Sequence, residues 1–358
     1  MSTLPPDQDL ADLLAGRAML GLPIEGHQWA GIDLQGLALP GVVFSRVDFS
    51  RANFVGADLR ECVFDRCLLD GARFDGARLR GSTWHQCQAH GSQWTGADLS
   101  LAKWAEVSAQ DAKLGANLML ANLIDCELPG LDLRGARIDR TSWLQTRLPR
   151  AQMQDLPMAS VFFQACDLSD ANLQGIAIEL GGFVETPLAG RDFRGQRFMG
   201  VQFTGCDLSD VNFSEAELRQ CNFQGARLDR ARFIQAQAAN ALFPQAQGDG
   251  ADFTGANLHQ AIFTHSQWQA CRFDGAQLYQ SIWSDSRLQR CSMQGADLTY
   301  ADFSRAQLDE LNARQATMFR TKLHAVQEQG CQFTDRDRAL ATDPVQARAE
   351  QWRAPQRA

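Results

Sequence analysis

Large apolar residues recur at every fifth position along most of this chain. From Leu34 the series runs through Leu39, Phe44, Phe49, Phe54, Leu59, Phe64, Leu69, Phe74, Leu79 and Trp84 to Leu114. It resumes one residue early at Leu118 and holds to Phe333. Two positions ahead of each large residue stands a small one. Residues 206–233 accordingly read C-D-L, V-N-F, A-E-L, C-N-F, A-R-L, A-R-F, with two mostly polar residues between triplets. A period of five fits neither a helix, which needs spacings of three and four, nor a flat alternating strand. The small and large residues, two apart, can face inward together while the residue between them faces out. The other two residues must turn a corner. Gly recurs there, where a tight turn requires positive φ, and nearby Asp, Asn and Ser side chains can bond the local backbone.

A second period of twenty sets the cross-section. One column of large residues reads Trp143, Phe163, Phe183, Phe203, Phe223, Phe243, Phe263, Trp283, Phe303, and the column ten residues out of step includes Phe193, Phe213, Phe233, Phe253 and Phe273. The columns between are chiefly aliphatic, as in Leu188, Leu208 and Leu228, or Leu258, Leu278 and Leu298. Four fives make one circuit, with two aromatic and two mainly leucine walls. Self-similarity of this extent predicts an all-β solenoid of about fifteen coils, roughly 70–75 Å long at one strand spacing per coil. The segments are expected as a capping, partly helical stretch at 1–28, coils at 29–335 with a register break near 114–118, and a helical or mobile tail at 336–358. The N-terminal helix is suggested by Leu10, Leu13 and Leu14 after Pro5-Pro6-Asp7. The C-terminal one is suggested by Asp343 as N-cap and Pro344 at the first helical position. That last helix could cap the coils, pair with a second copy, or stay mobile.

The motifs A-N-F-V-G, A-D-L-R-E, A-N-L-M-L, A-D-F-T-G and A-D-L-T-Y resemble those of the pentapeptide-repeat family over about residues 30–335. The resemblance implies a right-handed quadrilateral parallel β-helix. It implies little about function.

Charge and cysteine content narrow the classes. With 42 acids against 34 bases the net charge is −8, against a basic nucleic-acid binder. Apolar runs are too short to span a membrane, and residues 1–14 lack a signal-peptide pattern. A cytoplasmic protein with reduced thiols is expected. All ten cysteines fall in the small inward slot and read as packed hydrophobes. Cys67 and Cys87, like Cys271 and Cys291, should stack in neighbouring coils.

Candidate chemistry is sparse. His85, Cys87 and His90 have metal-like spacing, but the frame turns Cys87 inward and both histidines outward, with no fourth ligand. Residues 248–255 carry three glycines inside the frame. Gly248 and Ala238 replace large residues there, which predicts a thin core layer. No catalytic constellation, metal site or cofactor site is expected, and the chain reads as a non-enzyme.

Function is therefore expected on the surface. On the wall of the long aromatic column, Phe162, Leu242, Ile262 and Ile282 stand outward just ahead of the large residues. The last three, spaced twenty apart, predict an exposed apolar stripe, the better candidate for a partner or self-association surface. Tyr279, Tyr300 and Phe319, near the wall of Leu278 and Leu298, form a second candidate. The expected role is a protein–protein scaffold or adaptor, with a homodimer through a terminal segment as one assembly. The lead-in at 10–36 resembles that of pentapeptide-repeat proteins accompanying bacterial type VI secretion systems, which implies an accessory role there. The alternative is a gyrase-binding DNA mimic of the quinolone-resistance type, which the family resemblance brings in. A duplex of this length carries roughly 40 negative charges, whereas here the two signs are interspersed.

Overall fold

Each five-residue unit folds as an extended triplet and a corner. At most corners the N–H of the next small residue donates to the carbonyl of the large residue three back, as from Ala52 to Phe49 (2.9 Å) and from Ser281 to Leu278 (3.0 Å); the corners after the three-residue strands lack this bond. Among the described residues, the residue just before the small one has φ between 49° and 77°, in 23 glycines and also in 38 other residues, including Arg51, Leu101 and Tyr300. Where that bond closes the corner, this is the second central position of a type II turn. The left-handed conformation thus belongs to the position and is not confined to glycine. It costs a side-chain-bearing residue roughly 1–2 kcal/mol. Bonds from the corner N–H to the next coil, such as Arg51 to Asp70 (2.7 Å), offset it. Outward Asp and Asn brace the turns: Asp48 accepts from the Ser50 N–H (2.9 Å) and Asp302 from that of Ser304 (2.8 Å).

The structure is a computed structural model that describes residues 23–351, so the predicted N-terminal helix around Leu10–Leu14 lies outside the described residues. The chain divides into two compact units, Met1–Pro187 and Leu188–Ala358. Both are right-handed, four-sided parallel solenoids, with about 16 turns in all. The first coil begins earlier than the expected residue 29, because Ile24 already occupies a core position and pairs with Phe44.

In the first unit one wall carries a parallel sheet of nine short strands, from Ile24–Glu25 through Val43–Ser45 to Gly182–Val184. Partners are twenty residues apart, as in Phe44 with Phe64, until Lys103 pairs with Asn122, nineteen away. There the corner loses its left-handed residue: the Ala116 N–H bonds the Leu114 carbonyl only two back (2.8 Å). The division between units falls instead at Pro187. In the preceding coil of that row, the Asp167 N–H donates to the Thr146 carbonyl (3.1 Å). Proline has no N–H to continue the row.

The second unit carries its extended strands on a different wall, at Gln247–Asp249, Gln267–Gln269, Arg287–Gln289, Gln307–Asp309 and Gln327–Gln329. Past the last coils the chain returns to pair Leu340 with Lys322. The helix Pro344–Gln351, here α1, is capped as predicted, with the Val345 and Gln346 N–H groups donating to Asp343 Oδ1 (2.8 and 3.2 Å). Its Glu350 reaches the buried His324 (3.0 Å) and Arg305 (3.3 Å), so it is tied to the final coils.

The interior matches the two-wall expectation. Trp143, Phe163 and Phe183 stack in the first unit at 5.8 and 5.4 Å. Phe203 to Phe303 stack in the second, closest at Phe263–Trp283 (3.9 Å). The thin layer expected at Gly248 is absent. The ring of Trp268, in the next coil, leans over it so closely that an added Cβ would sit 2.8 Å from a ring carbon.

Five core tryptophans obey a rule that the five-residue period does not show. Trp84, Trp94, Trp143, Trp268 and Trp283 each donate Nε1–H to a Ser or Thr hydroxyl two residues earlier, at 2.8–3.0 Å. Trp104 follows Ala102, and its buried Nε1 has no partner.

Candidate functional site

Nine thiols are buried and Cys331 is half-buried. The inward slot lets the sulfur donate back to the preceding coil, as from Cys62 to the Leu39 carbonyl (2.9 Å) and from Cys87 to that of Phe64 (3.2 Å). Thr146 and Thr186 do the same with hydroxyls. Burial pushes the Cys62, Cys126 and Cys221 thiols up to about 12 and Cys166 to about 11. Cys87 and Cys271 rise through contact with Cys67 and Cys291 and through burial. A thiol held in its neutral form is a poor nucleophile and metal ligand.

The metal-like trio is dispersed as the frame predicts. Cys87 faces the core, His85 Nδ1 lies 2.7 Å from Asp65 in the neighbouring coil, and His90 accepts from the Gln110 N–H (2.9 Å). Among the described residues no group of three or more His, Cys, Asp or Glu side chains is placed to hold a metal ion.

The apolar candidates gather more closely than the sequence frame suggests. Leu242 pairs with Ile262 and Ile262 with Ile282, each partly exposed, in a stripe bounded by Asn222 and Asp302. Tyr279 meets Tyr300 edge-on at 5.8 Å, and Tyr300 meets Phe319 at 5.7 Å. His259 extends this ladder at 5.2 Å from Tyr279. The guanidinium of Arg338 lies 5.2 Å from the Phe319 ring centre, and that of Arg320 6.0 Å.

Stripe and ladder flank the same corner. Ile262 follows His259, and Ile282 follows Tyr279, by three residues around one turn. Between them runs an amide pair, Gln260 to Gln280 (2.9 Å). What the sequence presents as two surfaces is one edge of the second unit. Tyr300 and Phe319 are 41% and 39% exposed on it. Phe162 does not join them. It is 39% exposed on the first unit's sheet, between Ser142 and Gly182. The signal that could have joined the two columns is the three-residue offset across a corner.

Several outward charges are paired, between coils or within one. Arg230 bonds Asp210 (2.6 Å), Arg305 bonds Asp285 (2.8 Å), and Arg78 shares Asp58 with Arg60 (2.7 Å each). Side-chain hydrogen bonding from Arg60 holds the nearly buried Asp58 carboxyl below the usual range. Among the described residues, no helix is long and apolar enough to cross a membrane.

Comparison with known proteins agrees with this architecture. Among curated proteins nothing matches. Among solved structures, HetL, a pentapeptide repeat protein involved in heterocyst differentiation regulation from the cyanobacterium Nostoc sp. strain PCC 7120, is 20% identical over 95% of each chain, with a TM-score of 0.33. A trypsin-treated form of QnrB1, a plasmid-mediated fluoroquinolone resistance protein, is 22% identical over 45% of this chain and 86% of its own, with a TM-score of 0.24. A pentapeptide repeat protein of the Arabidopsis thaliana thylakoid lumen is 27% identical over 36% of this chain and 70% of its own, with a TM-score of 0.12. The model of the pentapeptide repeat region matches residues 38–114 and 196–267, and that of eight pentapeptide repeats matches 271–309 and 286–324. These matches cover more than half the chain, which belongs to the pentapeptide-repeat family.

Proposed function

We propose that this chain is a non-enzymatic protein-binding solenoid whose partner docks on the edge of the second unit formed by Leu242, Ile262, Ile282, Tyr279, Tyr300 and Phe319. The observation that carries this reading is the convergence of a partly exposed aliphatic stripe and an aromatic ladder at one corner, with Arg320 and Arg338 against its last ring. Tyr, Arg and clustered apolar side chains are the groups that dominate binding energy at protein interfaces. A photo-crosslinking residue at position 300 of the full chain should trap one discrete partner. Ile262→Asp, outward and leaving the core intact, should abolish that adduct while the melting curve stays the same. An adduct that persists in the variant would remove the edge from consideration.

The narrower reading, an accessory of a bacterial type VI secretion system, rests on the lead-in at 10–36. It is tested by whether the gene neighbours encode such a machine. The duplex-mimic reading fits this surface less well, because carboxylates such as Asp210 and Asp285 are neutralised by arginines in the adjoining coil. Inhibition or protection of purified gyrase in a supercoiling assay would restore it.

A further inference from the structure

The second unit's sheet wall is lined by amides. Ahead of its inward column stand Gln247, Gln267, Arg287, Gln307 and Gln327, and behind it Asp249, Gln269, Gln289, Asp309 and Gln329. The strands pair in register, so the two rows form parallel ridges. Between them lie two adjoining open concavities, of about 360 Å³ and 250 Å³, which share Arg287 and Gln289. Their linings together run from Asp229 to Gln329, six coils, or about 24 Å at one strand spacing per coil.

Two features identify what such a groove fits. The first is unused bonding capacity. Gln260 with Gln280, Asn222 with Gln202 and Asn257 with Gln237 pair their amides between coils elsewhere in this unit. In the groove, Arg287 binds Gln307 and Gln289 binds Asp309. Among the described residues, the side-chain amides of Gln247, Gln267, Gln269, Gln327 and Gln329 have no hydrogen-bond partner. Each offers two donors and an acceptor, which suits hydroxyl groups that also both donate and accept. The carboxylates of Asp249 and Asp309 oppose an anionic ligand.

The second feature is the repeat. Rungs recur at about 4.8 Å, whereas an extended peptide along the groove would advance about 3.4 Å per residue and present like side chains every ~6.8 Å, out of step with the ridges. An extended chain of pyranose rings advances by close to one rung per ring.

We infer that this wall binds an uncharged, extended polysaccharide, one sugar ring per coil. The site lies on a different wall from the proposed protein-docking edge and does not depend on it.

Titration calorimetry of the full chain with cellohexaose, chitohexaose, cellobiose, hexagalacturonate and an extended serine–threonine peptide tests the inference. At least one neutral hexasaccharide should bind tenfold or more tightly than the disaccharide. The double variant Gln267→Leu/Gln269→Leu should weaken it tenfold or more. Both changes are on exposed side chains, and an unchanged melting curve will show that the fold persists. Ile262→Asp should leave sugar binding intact. Absence of binding by both neutral hexamers, tighter binding of the uronate or the peptide, or equal binding by the double variant would each overturn the proposal.

Discussion

The two units present different chemistry on one kind of backbone. On the nine-stranded wall of the first unit, the outward residues ahead of the inward column are Val43, Val63, Thr83, Lys103, Asn122, Ser142 and Phe162. On the five-stranded wall of the second they are Gln247, Gln267, Arg287, Gln307 and Gln327. The inward columns differ too. The first wall is filled by aromatics such as Phe44, Phe64, Trp84 and Trp104, and the second by Gly248, Trp268, Leu288 and Leu308. Coil geometry therefore tolerates either filling, provided volume is conserved between neighbouring coils. Outward residues that do not brace a turn or pair between coils take no part in that constraint, so recognition can vary at those positions with little cost to the fold.

The sharpest way to break this comparison is at Gly248. Repeat logic alone says Gly248→Leu should stabilise the second unit by restoring a large inward residue. The ring of Trp268 already fills that space, so the change should destabilise by about 1–3 kcal/mol through overpacking, read as a lower denaturant midpoint. A higher midpoint would show that the ring does not occupy the gap.

A matched pair comes next. Ser266→Ala in the second unit should leave the Trp268 Nε1–H buried without an acceptor, costing about 1–3 kcal/mol. Ala102→Ser in the first unit should supply the acceptor that Trp104 lacks and raise stability by about 0.5–1.5 kcal/mol. Opposite shifts in urea midpoint are expected. Equal signs would mean the hydroxyl packs without bonding.

The smallest effect concerns pH. Because Asp58 titrates below the ordinary aspartate value of 3.8 when folded, its contribution is full above that value. It is lost as pH falls through the folded pKa. Asp58→Asn should lower stability at neutral pH and flatten the acid limb of the stability–pH curve. An unchanged acid limb would show that Arg60 and Arg78 do not stabilise the charged form.

Much of this architecture can be read from the residues because each inward side chain meets copies of itself twenty residues away. The period fixes the aromatic stacks, the direction of the thiols and, through Asp343-Pro344, the start of α1. The corner conformation was partly hidden, since Arg, Leu and Tyr carry no sign of positive φ and adopt it under the ladder's constraint. The filling of Gly248 depends on a side chain twenty residues away that reaches along the axis, which a layer-by-layer reading cannot show. The tryptophan rule was visible in S-T-W at 82–84, T-S-W at 141–143 and S-I-W at 281–283, but only an indole N–H facing a hydroxyl gives that pattern its meaning. The proposed docking edge is visible in the sequence as two columns, which the folded corner joins into one surface.

The inward thiols also make the protein its own dosimeter of local opening. A coil must separate from its neighbour before an alkylating reagent can reach Cys62, Cys126, Cys166 or Cys221, whereas Cys331 is half open already. Labelling rates at these sites would chart, without any introduced probe, where each solenoid frays and where it stays closed.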